Sequence, residues 1–398
     1  MNILHLAPDD RKFIKVAADI FNSSEGVSNR FVVIAADVPG AQTFYANLKH
    51  IRVVDSKYVY SKSVKEDLEW CDCLVVHFLD RLKAKVIMRA PKDLPIVWSG
   101  WGGDYYDLIA RGENNLLGRN TQQLVKSLGK QSGRRGQPVL RWIRSVGRRV
   151  LVTPLIKKAI MRTSYFSSPF PEDFELLKSH LGPDWSAKYV RVFYGSVKLT
   201  YMHGPAQIQG GNILVGNSAT PTNNHLEIFH MLSKIDLGDR QIVAPLSYGD
   251  TVYRDAIISY GQSLFGSRFR PIVDFMPLEQ YNTLIAGCSV VVMGHRRQQG
   301  GGNTVTMLYK GARVFLDEAS TVYQYLKSRG AFVYNLQDLQ SQGAKVFESL
   351  TEDQRSTNRQ VLEGYSGHEM VLRSVGELVE LVKSDGLKKR AGTSAREF

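Results

Sequence analysis

The chain has 398 residues, more than one hydrophobic core usually supports, so its length predicts two domains. Its 43% apolar content is that of an ordinary globular protein, and its apolar runs are too short to cross a bilayer. Three cysteines exclude a disulfide framework, and a net charge of +13 points to anionic partners.

In chain order, residues 2–6 predict a buried strand rather than a signal peptide, since no basic region precedes them and Asp9 and Asp10 follow. Residues 12–21 have helical spacing. Strands are predicted at 30–34, 51–55, 73–76 and 95–98, with helices at 64–70 and 81–89. This βα alternation predicts a parallel sheet. Further strands are expected at 164–168 and 189–194, with a helix at 174–180 between them. Cys71 and Cys73 are spaced C-x-C and Cys288 stands apart, so no zinc spacing is present and a reducing, cytoplasmic setting is expected.

The charge is concentrated in one place. From Asn114 to Pro171 no acidic residue occurs, while twelve lysines and arginines do. Within the segment 114–162, Arg141, Trp142, Arg144, Arg148 and Arg149 alternate basic and apolar character, as in a helix lying on an anionic membrane surface. The competing reading is an apolar face packed on its own domain. Nucleic acid is not expected, because the segment lacks the signatures of DNA or RNA readers.

Residues 204–211, with Pro205 and three glycines, predict a linker. A second series of strands follows at 213–215, 241–244, 270–275, 289–293 and 313–316. Helices are expected from 353 to 383, then a polar, disordered tail at 384–398. The fold class is therefore α/β, with two Rossmann-like, doubly wound domains at 1–203 and 204–383 facing a cleft.

Two loops of the second half carry the functional signal. The strand ending at Val215 runs into Gly216, Asn217 and Ser218, then Asn223, Asn224 and His225 at a helix start. The strand ending at Met293 runs into Arg296, Arg297, Gln298, Gln299, Gly300, Gly302 and Asn303 before another helix. Strand, glycine-rich basic loop and helix N-terminus make an anion site, although neither P-loop nor G-x-G-x-x-G spacing is present. Both loops fall at carboxyl ends of strands, where such sheets bind ligands, so a nucleotide diphosphate is expected there. His225 is a candidate phosphate ligand and Tyr248 a candidate stacking partner for the base. In the first half Asp104, among glycines and aromatics that suit a sugar ring, is the first candidate base. His77 and Asp9 are the others, each at a strand end.

These residues carry a resemblance. Residues 213–218 with Asn223 and His225, the run Arg297-Gln298-Gln299-Gly300-x-Gly302, and Trp101-Gly102-x-Asp104-x-Tyr106-x-Leu108 are similar to one bacterial family. Weaker likeness runs through Val243-x-Pro245-x-x-Tyr248 and residues 275–281. The family transfers 4-acetamido-4,6-dideoxygalactose to complete the lipid-linked repeat unit of enterobacterial common antigen. The resemblance implies a two-Rossmann, GT-B glycosyltransferase that works without metal or cofactor. It implies a thymidine-diphosphate sugar donor, an undecaprenyl-diphosphate-linked acceptor, and a peripheral position on the cytoplasmic face of the inner membrane. Many GT-B enzymes grip the ribose with glutamates where this chain has Gln299 and Thr306. A related O-antigen or capsule transferase, or a non-catalytic nucleotide- or polyanion-binding protein, are the alternative readings.

Overall fold

The computed structural model describes residues 1–109, 116–131, 154–192, 195–197, 202 and 204–394. They divide between two compact units, each built on its own parallel sheet.

The first unit holds seven strands: β1 (Asn2–Pro8), β2 (Ser28–Ile34), β3 (Ile51–Val54), β4 (Cys73–His77), β5 (Ile96–Ser99), β6 (Tyr165–Ser167) and β7 (Lys188–Tyr189). Their order is β3-β2-β1-β4-β5-β6-β7, and every pairing is parallel. The strand order reverses between β1 and β4. Side chains of β1 and β4 are buried on both faces, which explains why these strands read as continuous apolar runs. Helices pack on the sheet and start at acidic caps. Asp10 accepts from Phe13 N to begin Arg11–Asn22, and Asp80 accepts from Leu82 N and Lys83 N to begin Arg81–Arg89.

The unit boundaries differ from the expected break after residue 203. The final helix, His368–Ser394, belongs to the first unit and extends well into the tail predicted to be disordered. Its Val371, Val375, Leu378 and Val382 join Ile14 and Phe21 in one core. Asp385 secures it by accepting from Tyr165 Oη and Lys188 Nζ, both at 2.6 Å. The strand expected at 189–194 is confined to Lys188–Tyr189.

The second unit holds β8 (Asn212–Val215), β9 (Ile242–Pro245), β10 (Phe269–Ile272), β11 (Cys288–Met293), β12 (Arg313–Leu316) and β13 (Tyr334–Asn335). The order is β10-β9-β8-β11-β12-β13, again parallel throughout, with its reversal between β8 and β11. The predicted strand at 270–275 stops at Ile272, and Phe275 is 89% exposed in the turn that follows.

The described parts of the acid-free segment include two separate helices. Helix Arg119–Gln131 belongs to the second unit, where Leu117, Leu124 and Val125 enter the core. Glu227 caps it, accepting from Asn120 N at 2.8 Å, Thr121 N at 3.0 Å and Thr121 Oγ1 at 2.5 Å. Helix Pro154–Met161 belongs to the first unit. For residues 116–131 packing on the chain's own core therefore wins over a membrane surface. Arg141, Trp142, Arg144, Arg148 and Arg149 lie outside the described residues. Among the described residues no helix is long and apolar enough to cross a membrane.

Candidate functional site

Crossovers that leave a sheet in opposite directions open a crevice at the carboxyl ends of the two strands where the order reverses. In the second unit those strands are β8 and β11, and the loops after them are the two singled out by sequence.

The β8 loop turns at Gly216, whose φ is 68°. A Cβ there would stand 2.7 Å from Asn223 Oδ1 and 2.8 Å from His225 Nε2, so this position excludes a side chain on both conformational and steric grounds. Asn217 N donates to Asn223 Oδ1 at 2.8 Å, which folds the loop back on itself. Ser218 is buried, its Oγ 2.8 Å from Thr220 Oγ1 and accepting from Asn223 Nδ2 at 3.1 Å. Asn224 adopts a left-handed φ of 53°, which asparagine tolerates. Its amide accepts from Gly118 N at 2.9 Å and donates to Gly294 O at 2.7 Å and Leu116 O at 3.1 Å.

The β11 loop meets this turn through His295. Its Nε2 lies 2.9 Å from Asn223 Oδ1 and 3.0 Å from Asn217 Oδ1, two acceptors that require the proton on Nε2. Gln299 adds a second link: Nε2 donates to Thr220 Oγ1 at 3.0 Å and Asn217 Oδ1 at 3.3 Å. Its Oε1 accepts from Thr222 Oγ1 at 2.6 Å and Arg297 Nε at 2.9 Å. A glutamate could not make the first pair of bonds, which accounts for an amide at this position. Thr306, the other departure, is buried in the following helix. Arg296 pairs with Asp317 at 3.2 Å and reaches Leu117 O at 3.4 Å.

Gly300, with φ 67°, begins helix Gly301–Lys310, whose first turn has no acidic residue. Its leading amides, from Gly301, Gly302 and Asn303, thus face the loop with the positive end of the helix dipole. Asn303 donates to Tyr281 Oη at 2.7 Å. Gln298 is partly exposed on the rim. Tyr248 stands beside the β8 loop, 58% exposed, its Oη accepting from Asn217 Nδ2 at 2.8 Å.

Three polar atoms at this rim are buried with no hydrogen-bond partner among the described residues: His225 Nε2, His295 Nδ1 and Thr304 Oγ1. His225 Nδ1 is 3.2 Å from Tyr253 Oη. Burial lowers the His225 pKa to about 3, and burial followed by the Arg297 charge holds His295 well below the usual histidine value. Both imidazoles are neutral at pH 7. His225 therefore lies beneath the loop as a neutral imidazole. Sequence reading underrated Asn223 and His295, because a polar side chain after an apolar run gives no sign of which way it turns.

In the first unit the corresponding crevice strands are β1 and β4. Asp9 follows β1, its Oδ1 3.7 Å from Arg11 Nε. His77 ends β4 fully buried, its Nε2 3.1 Å from His5 Nδ1, and burial followed by the His5 charge lowers its pKa. Asp104 acts as a clasp. Its Oδ2 accepts from Leu79 N at 2.9 Å and Trp98 Nε1 at 2.8 Å, and its Oδ1 accepts from Trp101 N at 2.8 Å. Burial raises its pKa, and these bonds oppose the rise. The neighbouring Trp98, Tyr105 and Tyr106 are core residues, and both tyrosine hydroxyls donate to buried Asp173. Only partly buried Trp101 among these aromatics stays near the surface, edge-on to Phe78, whose backbone holds a φ of 58°.

Residues 196–354 match the family model described as 4-alpha-L-fucosyltransferase, glycosyl transferase group 56. Over that stretch the chain is similar to this family. The match takes in both loops of the second unit and agrees with the resemblance drawn from their residues. Solved structures show the same fold over nearly the whole chain. Sucrose-phosphate synthase from Thermosynechococcus elongatus aligns with a TM-score of 0.67 at 9% identity, covering 97% of this chain and 100% of that one. Anabaena HepE, solved with UDP and glucose, aligns at 0.60 with 13% identity, covering 96% and 100%. The lipopolysaccharide outer core galactosyltransferase WaaB aligns at 0.61 with 11% identity, covering 95% and 99%. The fold is that of these GT-B glycosyltransferases, and the family match over residues 196–354 is to a glycosyltransferase.

Proposed function

We propose that the protein transfers a 4-acetamido-4,6-dideoxyhexose from a thymidine-diphosphate sugar to an undecaprenyl-diphosphate-linked glycan, at the cytoplasmic face of the inner membrane, in surface polysaccharide synthesis. The observation that carries the donor half is the junction of the β8 and β11 loops. His295 and Gln299 lock the two loops together beside a helix N-terminus, with Arg297 on the rim. The solved neighbour HepE, bound to UDP-glucose in a second structure, supports a nucleotide sugar as the ligand class.

In the reaction the bond between the anomeric carbon and the phosphate oxygen breaks, and the diphosphate leaves with the electron pair. The acceptor hydroxyl oxygen bonds to that carbon and loses its proton. Arg297 and the amides of Gly301 and Gly302 stabilise the charge growing on the diphosphate, the role a metal ion plays in other transferases. Asn217 and Tyr248 flank the sugar and base. Asp9 suits the base better than the other two candidates. Asp104 already accepts three hydrogen bonds, and His77 is buried against His5. The basic stretch around Arg141, Trp142, Arg144, Arg148 and Arg149 meets the anionic membrane that holds the acceptor.

The test is calorimetric titration with the diphosphates of thymidine, uridine, guanosine and cytidine, followed by transfer assays with the corresponding sugars. Selective thymidine binding supports the donor assignment. Preference for another base keeps the transferase and discards this donor, and absence of binding at millimolar ligand removes the site.

A further inference from the structure

One side of the first unit is basic and studded with exposed apolar side chains. Three elements lie together there: the 3-10 turn Ser56–Tyr60, helix Arg81–Arg89 and helix Pro154–Met161. Arg89 ties the first two, donating to Val59 O at 2.6 Å and Ser61 O at 3.2 Å. Arg162, just past the third, donates to Ile87 O at 2.6 Å, Ala90 O at 2.9 Å and Pro91 O at 2.6 Å. The arrangement is therefore a fixed surface.

None of the three elements contains a carboxylate. Asp80, at the cap of the second, is tied to buried Lys83. The outward cations are Lys57, Arg81, Lys85, Arg89, Lys157 and Lys158. Among them Tyr60 is 69% exposed, Met161 42% and Met88 38%, and Lys85 Nζ sits over the Tyr60 ring. Large apolar side chains held out among six cations, with only the capping carboxylates Asp55 and Asp80 beside them, match the two requirements of a bilayer interface: anionic headgroups to neutralise and an acyl boundary to receive apolar groups.

We propose that this face, formed by Ser56–Tyr60, Arg81–Arg89 and Pro154–Met161, docks on an anionic phospholipid surface, with Tyr60, Met88 and Met161 entering the headgroup region and Lys157 and Lys158 pairing with lipid phosphates. The inference deepens the membrane reading above, and it needs neither the donor nor the acceptor assignment. Residues Arg141 to Arg149 then form a second contact rather than the sole anchor.

The test is co-sedimentation of the full chain with vesicles of phosphatidylcholine alone or mixed with phosphatidylglycerol. Wild type should bind the mixed vesicles. The pair Lys157→Gln and Lys158→Gln should weaken binding by roughly thirtyfold, at about fivefold per basic residue near such a surface. The pair Met88→Ser and Met161→Ser should weaken it at unchanged charge. Both variants should keep wild-type activity on a short-chain, water-soluble analogue of the acceptor, a readout that follows the transferase independently of docking. Wild-type vesicle binding by both pairs overturns the proposal, as does binding lost only when Arg141, Arg144, Arg148 and Arg149 become glutamine. Retention of RNA or DNA in place of vesicles overturns it as well.

Discussion

His295 Nε2 lies 2.9 Å from Asn223 Oδ1, and this contact joins the loops at the two strands where the second sheet reverses. The same Asn223 Oδ1 also accepts from Asn217 N, so one oxygen both closes the β8 loop and ties it to the β11 loop. His295→Phe fills similar space but removes one hydrogen bond each from Asn223 Oδ1 and Asn217 Oδ1, which keep Asn217 N and Gln299 Nε2 as their remaining donors. It should lower the stability of the second unit by about 0.5–1.5 kcal/mol for each hydrogen bond lost. Nucleotide-diphosphate affinity should fall with it. Thermal unfolding and titration calorimetry on one preparation check both, and an unchanged melting temperature would show that the junction carries no weight.

Arg297 and Arg296 are adjacent but should behave differently. Arg296 pairs with Asp317, whereas Arg297 is held by Gln299 on the rim. Arg297→Ala should weaken donor binding by about 1.5–3 kcal/mol, the value of a charge-assisted hydrogen bond, with little change in stability. Arg296→Ala should chiefly reduce stability. Titration of each variant with thymidine diphosphate separates them, and equal affinity of Arg297→Ala and wild type would take Arg297 out of the site.

Gln299→Glu tests why this chain departs from the common GT-B pattern. A carboxylate cannot donate to Thr220 Oγ1 and Asn217 Oδ1, which Gln299 Nε2 now reaches at 3.0 and 3.3 Å. The substitution should lower donor affinity and thermal stability. If instead it improved nucleotide binding, the loop would hold ribose in the usual way and the amide network would be incidental.

The alternation of apolar runs in β1, β4, β8 and β11 made both parallel sheets legible, because buried parallel strands read as uninterrupted Val, Ile and Leu. The loops after β8 and β11 were legible for the same reason: glycines and polar residues interrupt the pattern at the ends of those strands. Three things were not. The helix His368–Ser394 completes the first unit through Val371 and Val375, a long-range contact that no local pattern encodes. Leu124 and Val125 enter a core across from Leu226 and Phe229, so a stretch rich in basic residues proved to be partly interior. Asp104 and His295 were also hidden, because residue type does not say which hydrogen bonds a side chain has already made.

Asp104→Asn distinguishes a clasp from a catalytic base. The carboxylate accepts from Leu79 N, Trp98 Nε1 and Trp101 N, and an amide presents an NH2 group to at least one of these donors. Stability of the first unit should drop by about 1–3 kcal/mol. The pH profile of kcat/KM should keep its shape, because no titrating group has left the reaction. Loss of the acidic limb, with folding intact, would return Asp104 to the role of base.

Acid should destabilise both units before their carboxylates titrate. His5 and His77 in the first unit, and His225 and His295 in the second, are buried and held below the ordinary histidine value of 6.5, His5 and His225 at about 3. The folded chain therefore binds fewer protons than the unfolded chain once pH drops below that value. Their contribution is fully present above about pH 6.5 and is lost progressively as pH falls below it, for His5 and His225 toward about pH 3. Chemical denaturation between pH 7.5 and 5, the upper part of that window, should show the midpoint falling steadily, and His225→Phe should flatten the slope for the second unit. A midpoint constant across this range would mean that the imidazoles take up protons in the folded state, and with them the neutral His295 that holds the two loops together would have to be given up.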